Sequence, residues 1–366
     1  MLASQRQELI LALVQRHGTV RLADLAERMG VTAVTVRRDV TALADRGLVQ
    51  RVHGGITRPH RPNRTPTAPR PALGGATGRT LVGMVVPSVE YYWPHVVQGA
   101  QAAVASAGSR LVMRVSSYDP TEDRRQISAL VDHGVRVVLA APVVHGDAGL
   151  DLLRWLGSLP VPVVLMERLP PPELSTLALD AATTAHALGA GLGVRHLTAL
   201  GHRAVALVTS RTSPTSTALR AGWAATTAEL GLPHDTDLDI EVPSYGTPGW
   251  PPVYDEVLLH CAERGVRAML VHADREAIGM VERARDLGID VPGRLAVVSY
   301  DDEVAAASDP PLTAVRPQKH RLGQLAVELA LGRAAEGDRR PVHRVQLWPT
   351  LEVRESCGAA ANAGEL

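Results

Sequence analysis

Apolar positions change their spacing twice along the chain. Ile10, Leu13 and Val14 recur at i, i+3, i+4, which predicts an amphipathic helix ending near Gly18. Leu22, Leu25 and Met29 repeat the pattern up to Gly30. A third helix starts at the N-cap candidate Thr32, buries Val36, Val40 and Leu43, and closes at Gly47. Leu48 to Ile56 alternates and turns at Gly54-Gly55, as a short β-wing does, with Arg51 and His53 expected at its tip. Residues 58–78 have no apolar period and are dense in Pro, Gly, Thr and Arg, the composition of a linker.

From residue 79 onward, short runs rich in Val and Leu predict buried strands: Leu81–Val86, Leu111–Val115, Val135–Ala140, Val161–Met166, Ala204–Val208, Ala268–Val271 and Leu295–Ser299. Helical stretches separate them at Val96–Ala107, Glu122–His133, Thr183–Leu200, Arg220–Leu230 and Arg275–Leu287. Strands alternating with helices predict parallel sheets in a doubly wound α/β fold. The expected domains are therefore 1–57, a linker at 58–78, a body at 79–356 and a flexible tail at 357–366.

Charge sharpens this division. Residues 1–79 hold thirteen arginines against five acidic residues, which leaves 25 basic against 33 acidic residues in the remainder. A basic head on an acidic body directs a polyanion to the head. Lys319 is the only lysine, so the basic character belongs to arginine. The two cysteines, Cys261 and Cys357, are far apart and outside any CxxC pattern, which fits a reducing compartment. No 18-residue apolar run is present and the first residues lack a secretory pattern, so a cytoplasmic protein with no membrane contact is expected.

On the third helix, Thr35, Arg37 and Arg38 lie mostly off the apolar face, where hydroxyls and guanidinium forks can meet phosphates or base edges. The run VRLADLAERMGVTAVTVRRDVTALADRGLVQRVHGGI closely resembles the DeoR-type helix-turn-helix, in its Leu-Ala helix, Gly-Val-Thr turn, Thr-x-Arg-Arg-Asp helix and Arg-x-His-Gly-Gly wing. The resemblance covers residues 5–57. It implies contact with double-stranded operator DNA through Thr32, Thr35, Arg37 and Arg38, supported by Arg51 and His53.

Roughly residues 79–356 resemble the effector domain of the lactose-repressor (LacI/GalR) family, which is similar to periplasmic sugar-binding proteins. The resemblance rests on LVGMVVPSVEYYWPHVVQGAQAAVASAG, VPVVLMER, TALGHRAVALV, the Arg220-Ala221-Gly222-Trp223 segment, HADREAIG, LGIDVPGRLAVVSYDD, DPPLTAVRP and LEVRES, in that order. The fold class implied is α/β: an N-terminal winged helix-turn-helix plus a two-lobed, doubly wound, periplasmic-binding-protein-like domain. The resemblance also implies a sugar-like effector between the lobes and repression of carbohydrate-related genes; a homodimer is expected because paired heads on two half-sites multiply effective concentration and match a near-palindromic operator.

Effector contacts are expected from Ser88, Glu90, Tyr91 and Tyr92 after the first strand, and from Arg168, Arg220, Asp274 and Asp301 at later strand ends. The chain departs from the family at Leu219, where the motif has Arg, and at Ala273, where it often has Asn, so a common hexose is not implied. The linker shows no equivalent of the lactose-repressor hinge helix.

Other readings of single residues stay open at this point. Asp274 is also a good helix cap. Asp301 and Asp302 could serve as an acid/base pair, although neighbours on an extended strand point apart. Trp93 and Trp250 could stack on a sugar ring or simply pack. Gly189-x-Gly191-x-Gly193 echoes a dinucleotide motif but falls inside a helical stretch with no strand before it. Neither catalytic machinery, a cofactor nor a metal motif is expected. The competing functions are a solute-binding protein for transport and a sugar-processing enzyme with a regulatory head.

Overall fold

A computed structural model of the chain describes residues 10, 13, 19–21, 25, 28, 29, 31, 35, 36, 39, 40, 43, 50–52, 55–57 and 80–359. The chain divides into two compact units, Met1–Ala76 and Thr77–Leu366.

In the first unit, Ile10, Leu13, Leu25, Met29, Thr35, Val36, Val40 and Leu43 are all helical. Ile10, Leu25, Val36, Val40 and Leu43 form a buried core, with Leu13, Met29 and Val31 packed against it, so the helical spacing read from the sequence is the packing spacing. The strands are β1 (Thr19–Arg21), β2 (Gln50–Val52) and β3 (Gly55–Thr57). The expected wing is the antiparallel β2–β3 pair. Its other edge is filled by β1, a strand the helical pattern concealed. Arg51 pairs with Ile56 within the ladder rather than sitting at the turn.

The second unit contains two lobes. In the first, β4 (Leu81–Val86), α1 (Trp93–Ser106), β5 (Arg110–Val115), α2 (Pro120–Asp132), β6 (Val137–Ala140), α3 (Gly146–Gly157), β7 (Val163–Met166) and β8 (Asp180–Thr184) follow in order. The second lobe runs α4 (His186–Ala199), β9 (Ala206–Ser210), α5 (Ser216–Glu229), β10 (Asp239–Val242), α6 (Trp250–Glu263), β11 (Ala268–His272), α7 (Asp274–Asp286), β12 (Ala296–Tyr300) and β13 (Thr313–Arg316). The chain then returns through α8 (Lys319–Glu336) and β14 (Arg344–Leu347) to the first lobe and ends with β15 (Thr350–Glu352) in the second.

The first-lobe sheet has the order β14-β8-β7-β6-β4-β5 and the second β10-β9-β11-β12-β13-β15; β15 is the one antiparallel member of either sheet. Three segments therefore join the lobes: Thr184–His186, residues 317–318 and residues 348–349.

Burial on both faces explains the continuous apolar runs. In β4, Val82, Met84 and Val86 face a cluster with α1 and α8, whereas Val85 faces a second cluster with α2 and α3. Helix α8 lies close on α1 because Gly99 and Gly323 have no side chain. A Cβ added at either would stand 1.9 Å from a carbonyl of the facing helix, His320 O or Val96 O.

Several expectations need revising. Thr183 and Thr184 belong to β8, so a strand does precede α4, but Gly189, Gly191 and Gly193 lie inside the helix and make room for Tyr300, Thr226 and Leu270. Cys357, expected to open a tail, is buried in the second-lobe core, because the turn Glu355–Cys357 packs beneath β12. Among the described residues no helix is long and apolar enough to cross a membrane.

Candidate functional site between the lobes

The carboxyl ends of parallel strands from both lobes converge on a cavity of about 290 Å³, near the lower end of the roughly 300–1,000 Å³ seen for small-molecule pockets. The first lobe contributes Tyr91, Tyr92 and Trp93 after β4, Tyr118 after β5, and Glu167 and Arg168 after β7. The second contributes Ser210, Thr212 and Ser213 after β9, Ser244 and Tyr245 after β10, His272, Arg275 and Glu276 around the β11–α7 junction, and Asp301 after β12. His186, on the first crossing, completes the wall.

Backbone conformation marks the same place. Tyr91, Tyr118, Glu167 and Asp301 all have φ between 56° and 95° and all line the cavity. Side chains rarely tolerate that region, and such strain concentrates where a side chain must be aimed at a ligand.

Glu167 organises the first-lobe wall. Tyr92 donates its hydroxyl to one carboxylate oxygen, which also accepts from Thr184 Oγ1 at 2.7 Å. The other oxygen accepts from Thr184 N at 2.8 Å and His186 Nε2 at 3.1 Å. His186 Nδ1 reaches Tyr300 Oη at 3.0 Å, which carries the network into the second lobe. Burial alone pushes the Glu167 carboxyl up, but the neighbouring His186 and the bonds from His186, Tyr92 and Thr184 outweigh it and hold it down at about 2. Beside it the buried Arg168 guanidinium donates to Pro142 O at 3.2 Å and to Glu167 O at 2.7 Å.

The second-lobe wall keeps polar capacity in reserve. Ser210 Oγ, Thr212 Oγ1 and Ser244 Oγ lie within 3.1–3.4 Å of one another, hydroxyls that can exchange these bonds for bonds to a ligand. His272 Nδ1 is buried and has no hydrogen-bond partner among the described residues. Burial, reinforced by the neighbouring His186, pushes the His272 imidazole down to about 3, so the ring is neutral. Asp301 moves the other way: burial, with Asp274 nearby, raises its carboxyl well above the usual range.

The lobes also touch directly. Asp274 N donates to Tyr91 Oη at 3.1 Å, and the Arg275 guanidinium sits 5.2 Å from the centre of the Tyr91 ring. Glu303, from the loop after β12, meets His95 of α1 at 3.4 Å and Lys319 at 2.5 Å. The single lysine of the chain is thus buried at the second crossing, where it also donates to Asp301 O.

Of the residues expected to contact an effector, Tyr91, Tyr92, Arg168 and Asp301 are on the cavity wall and four others are not. Ser88 turns back to accept from Glu90 N at 3.0 Å, and Glu90 is exposed. Arg220 is held on the flank by Asp239 and Glu241. Asp274 is fully buried behind the wall, with its carboxylate accepting from Ser299 Oγ, Glu303 N and Val304 N. It ties the start of α7 to the loop after β12 and leaves no oxygen for a ligand.

Asp302 pairs with Arg316 and Arg354, so it forms no acid/base pair with Asp301. Trp93 lines the cavity, whereas Trp250 packs between Tyr245 and Tyr254. The sequence reading missed Glu167, His186, His272 and the hydroxyls after β9 and β10. The signal for Glu167 and His272 was available in their position directly at strand ends.

In the first unit, Thr35 is helical and half-buried, while Thr32, Arg37, Arg38 and His53, as well as the Arg51 side chain, lie outside the described residues.

Comparison with known proteins matches two parts of the chain separately. A DeoR-like helix-turn-helix domain matches residues 6–61 and a periplasmic binding protein-like domain matches residues 194–357. The transcriptional regulator reg1 of Streptomyces lividans is 28% identical over 359 residues, covering 93% of this chain and 98% of its own. The ribose operon repressor of Escherichia coli is 24% identical over 339 residues, covering 92% and 99%. Among solved structures, the transcriptional regulator CelR in complex with cellobiose has the same fold, with a TM-score of 0.65 at 23% identity, covering 89% of this chain and 91% of that one.

Proposed function

We infer that a small neutral polyhydroxylated ligand, held between the two lobes, governs DNA binding by this chain, a transcriptional regulator of carbohydrate-related genes that joins a DeoR-like helix-turn-helix to a body of the LacI type. The observation that carries the reading is the contrast within the cavity wall. Tyr91, Tyr92, Trp93 and Tyr118 offer flat apolar faces, and the Ser210, Thr212 and Ser244 hydroxyls with His272 offer exchangeable bonds. A sugar presents a C–H face and a hydroxyl edge and needs both. Glu167 with Arg168 adds opposite charges side by side, so no ionic ligand is demanded.

The regulator acts as a repressor and homodimer on paired half-sites, Thr32, Thr35, Arg37 and Arg38 making the DNA contacts, with Arg51 and His53 in support. Dimerisation is favoured by β5, an edge strand that leaves Met113 and Val115 each 38% exposed, an apolar border that a second copy would cover. Ligand held between the lobes shifts the balance of two dimer arrangements, one of which spaces the heads for DNA. The relatives support this reading through what they are, a ribose operon repressor and a regulator that holds cellobiose.

The test is a thermal-shift screen of mono- and disaccharides on the full chain, followed by DNA retardation with a fragment upstream of its own gene. Arg37→Ala and Arg38→Ala should abolish retardation and leave sugar binding intact. Loss of both together would contradict separate DNA and ligand modules, and turnover of a bound sugar would favour the enzyme reading instead.

A further inference from the structure

A second cavity, of about 430 Å³, adjoins the first and shares Glu167, Arg168, His186, Pro214 and Thr215 with it. Its other walls differ in kind. None of the tyrosines, nor Ser210, Ser244, His272 or Asp301, reaches it; instead Leu169, Leu188, Ala218 and Trp348 surround it. Trp348 is 71% exposed, unusual for the largest apolar side chain, and nothing in the described chain covers it. Thr183, which is buried and lines this cavity, has a hydroxyl with no hydrogen-bond partner among the described residues. A buried hydroxyl left unpaired costs stability that a ligand group would recover.

We propose that this cavity is a second ligand site, for a neutral phenol or aromatic alcohol whose ring lies against Trp348 and Leu188 and whose hydroxyl pairs with Thr183 Oγ1. Charge excludes ions. An anion would meet the carboxylate of Glu167, which already spends its bonds on the protein, and a cation would meet the guanidinium of Arg168. A sugar fits poorly, because each of its hydroxyls needs a partner and this wall offers few beyond Thr183 and Gln346. An aromatic ring with one hydroxyl loses little on leaving water and gains the stacking face. Because Glu167 and His186 belong to both walls, occupancy here changes affinity in the first cavity, and the reverse holds equally.

The experiment titrates the full-length chain with 2-naphthol, with no sugar or DNA present, following binding by calorimetry and by saturation-transfer NMR. Trp348→Ala and Ala218→Phe should each weaken binding by at least about tenfold, whereas Tyr91→Ala, which alters only the first cavity, should leave it unchanged. Absence of binding up to the solubility limit, or affinity indifferent to both second-cavity substitutions, would overturn the proposal. So would loss of binding in Tyr91→Ala alone, because the probe would then occupy the first cavity. Thermal midpoints separate lost binding from lost folding, and either second-cavity variant suffices. The outcome does not depend on the regulatory reading, since neither a sugar nor DNA is used.

Discussion

The two lobes have the same architecture and face each other across one cavity, yet they furnish it differently. In the first lobe the central carboxylate is committed: Glu167 accepts four hydrogen bonds, from Tyr92, Thr184 and His186. The second lobe carries three hydroxyls that bond only to one another, a neutral His272 with an idle nitrogen, and an Asp301 biased towards its protonated form. The Glu167 network is thus pre-organised, while the second-lobe hydroxyls are free to re-pair; on the proposed function, the first would position a ligand and the second would read its hydroxyls. Specificity on this account is a property of the second lobe, and rigidity of the first.

The largest expected break in that comparison is Glu167→Ala. Removing the carboxylate leaves the His186 imidazole, the Tyr92 hydroxyl and Thr184 without their acceptor, and each buried polar group left unpaired costs about 1–3 kcal/mol, measurable by urea denaturation. A loss below about 1 kcal/mol would show that the first wall is as adaptable as the second. Next are the helix contacts behind each wall. Gly99→Ala in the first lobe and Gly222→Ala in the second each place a methyl about 2 Å from a carbonyl, His320 O or Ala187 O. Each should lose roughly 1–3 kcal/mol to overpacking, and a marked inequality between them would show that one lobe yields more readily than the other.

Acid should separate the lobes by pH. The folded chain holds His272 well below the ordinary imidazole value, at about 3, so unfolding takes up a proton as soon as pH falls below about 6.5, and stability declines from there. Glu167, depressed to about 2, adds stability above about 4.5 that is lost as pH falls towards 2. Asp301, raised, acts in the opposite direction, stabilising in acid and losing that contribution as pH rises. Melting temperatures should therefore carry a falling contribution below about pH 6.5 from the second lobe and another below about pH 4.5 from the first, with Asp301 offsetting part of the fall. His272→Asn should flatten the stage between pH 6.5 and 5, and an unchanged profile would contradict the assignment. The smallest effect on folding is expected from Ser244→Ala, within about 1 kcal/mol because its hydroxyl bonds are exchangeable. The same substitution should nevertheless alter the ranking of sugars in a binding panel.

Legibility in the sequence followed the same physical line. Strands buried on both faces announced themselves as Val- and Leu-rich runs, so β4, β6, β7, β11 and β12 were placed within a residue or two. The strands β8 (DAATT), β10 (DIEV) and β13 (TAVR) were missed because Ala, Thr and acidic residues break the apolar run even where the backbone pairs fully. Helix α6 was hidden by the prolines that open it, which a first turn tolerates.

Position after a strand led to Tyr91, Tyr92, Arg168 and Asp301, all of which line the cavity. It failed for Asp274, because one residue into a helix is enough to turn a side chain from the cleft to the loop behind it. His186 could not have been chosen from its neighbours in sequence, since its role comes from Glu167 and Tyr300, 19 and 114 residues away.

On the proposed function, occupancy of the cleft decides whether the head holds DNA. Fluorescence anisotropy of a labelled operator fragment, titrated with the full chain with and without a saturating sugar from the screen, tests it most directly. The expected result is a shift in DNA affinity of about 5- to 150-fold in the intact chain and none in Glu167→Gln, with sugar-free DNA binding unaltered. Equal DNA affinity with the cleft empty and with the cleft filled would contradict it.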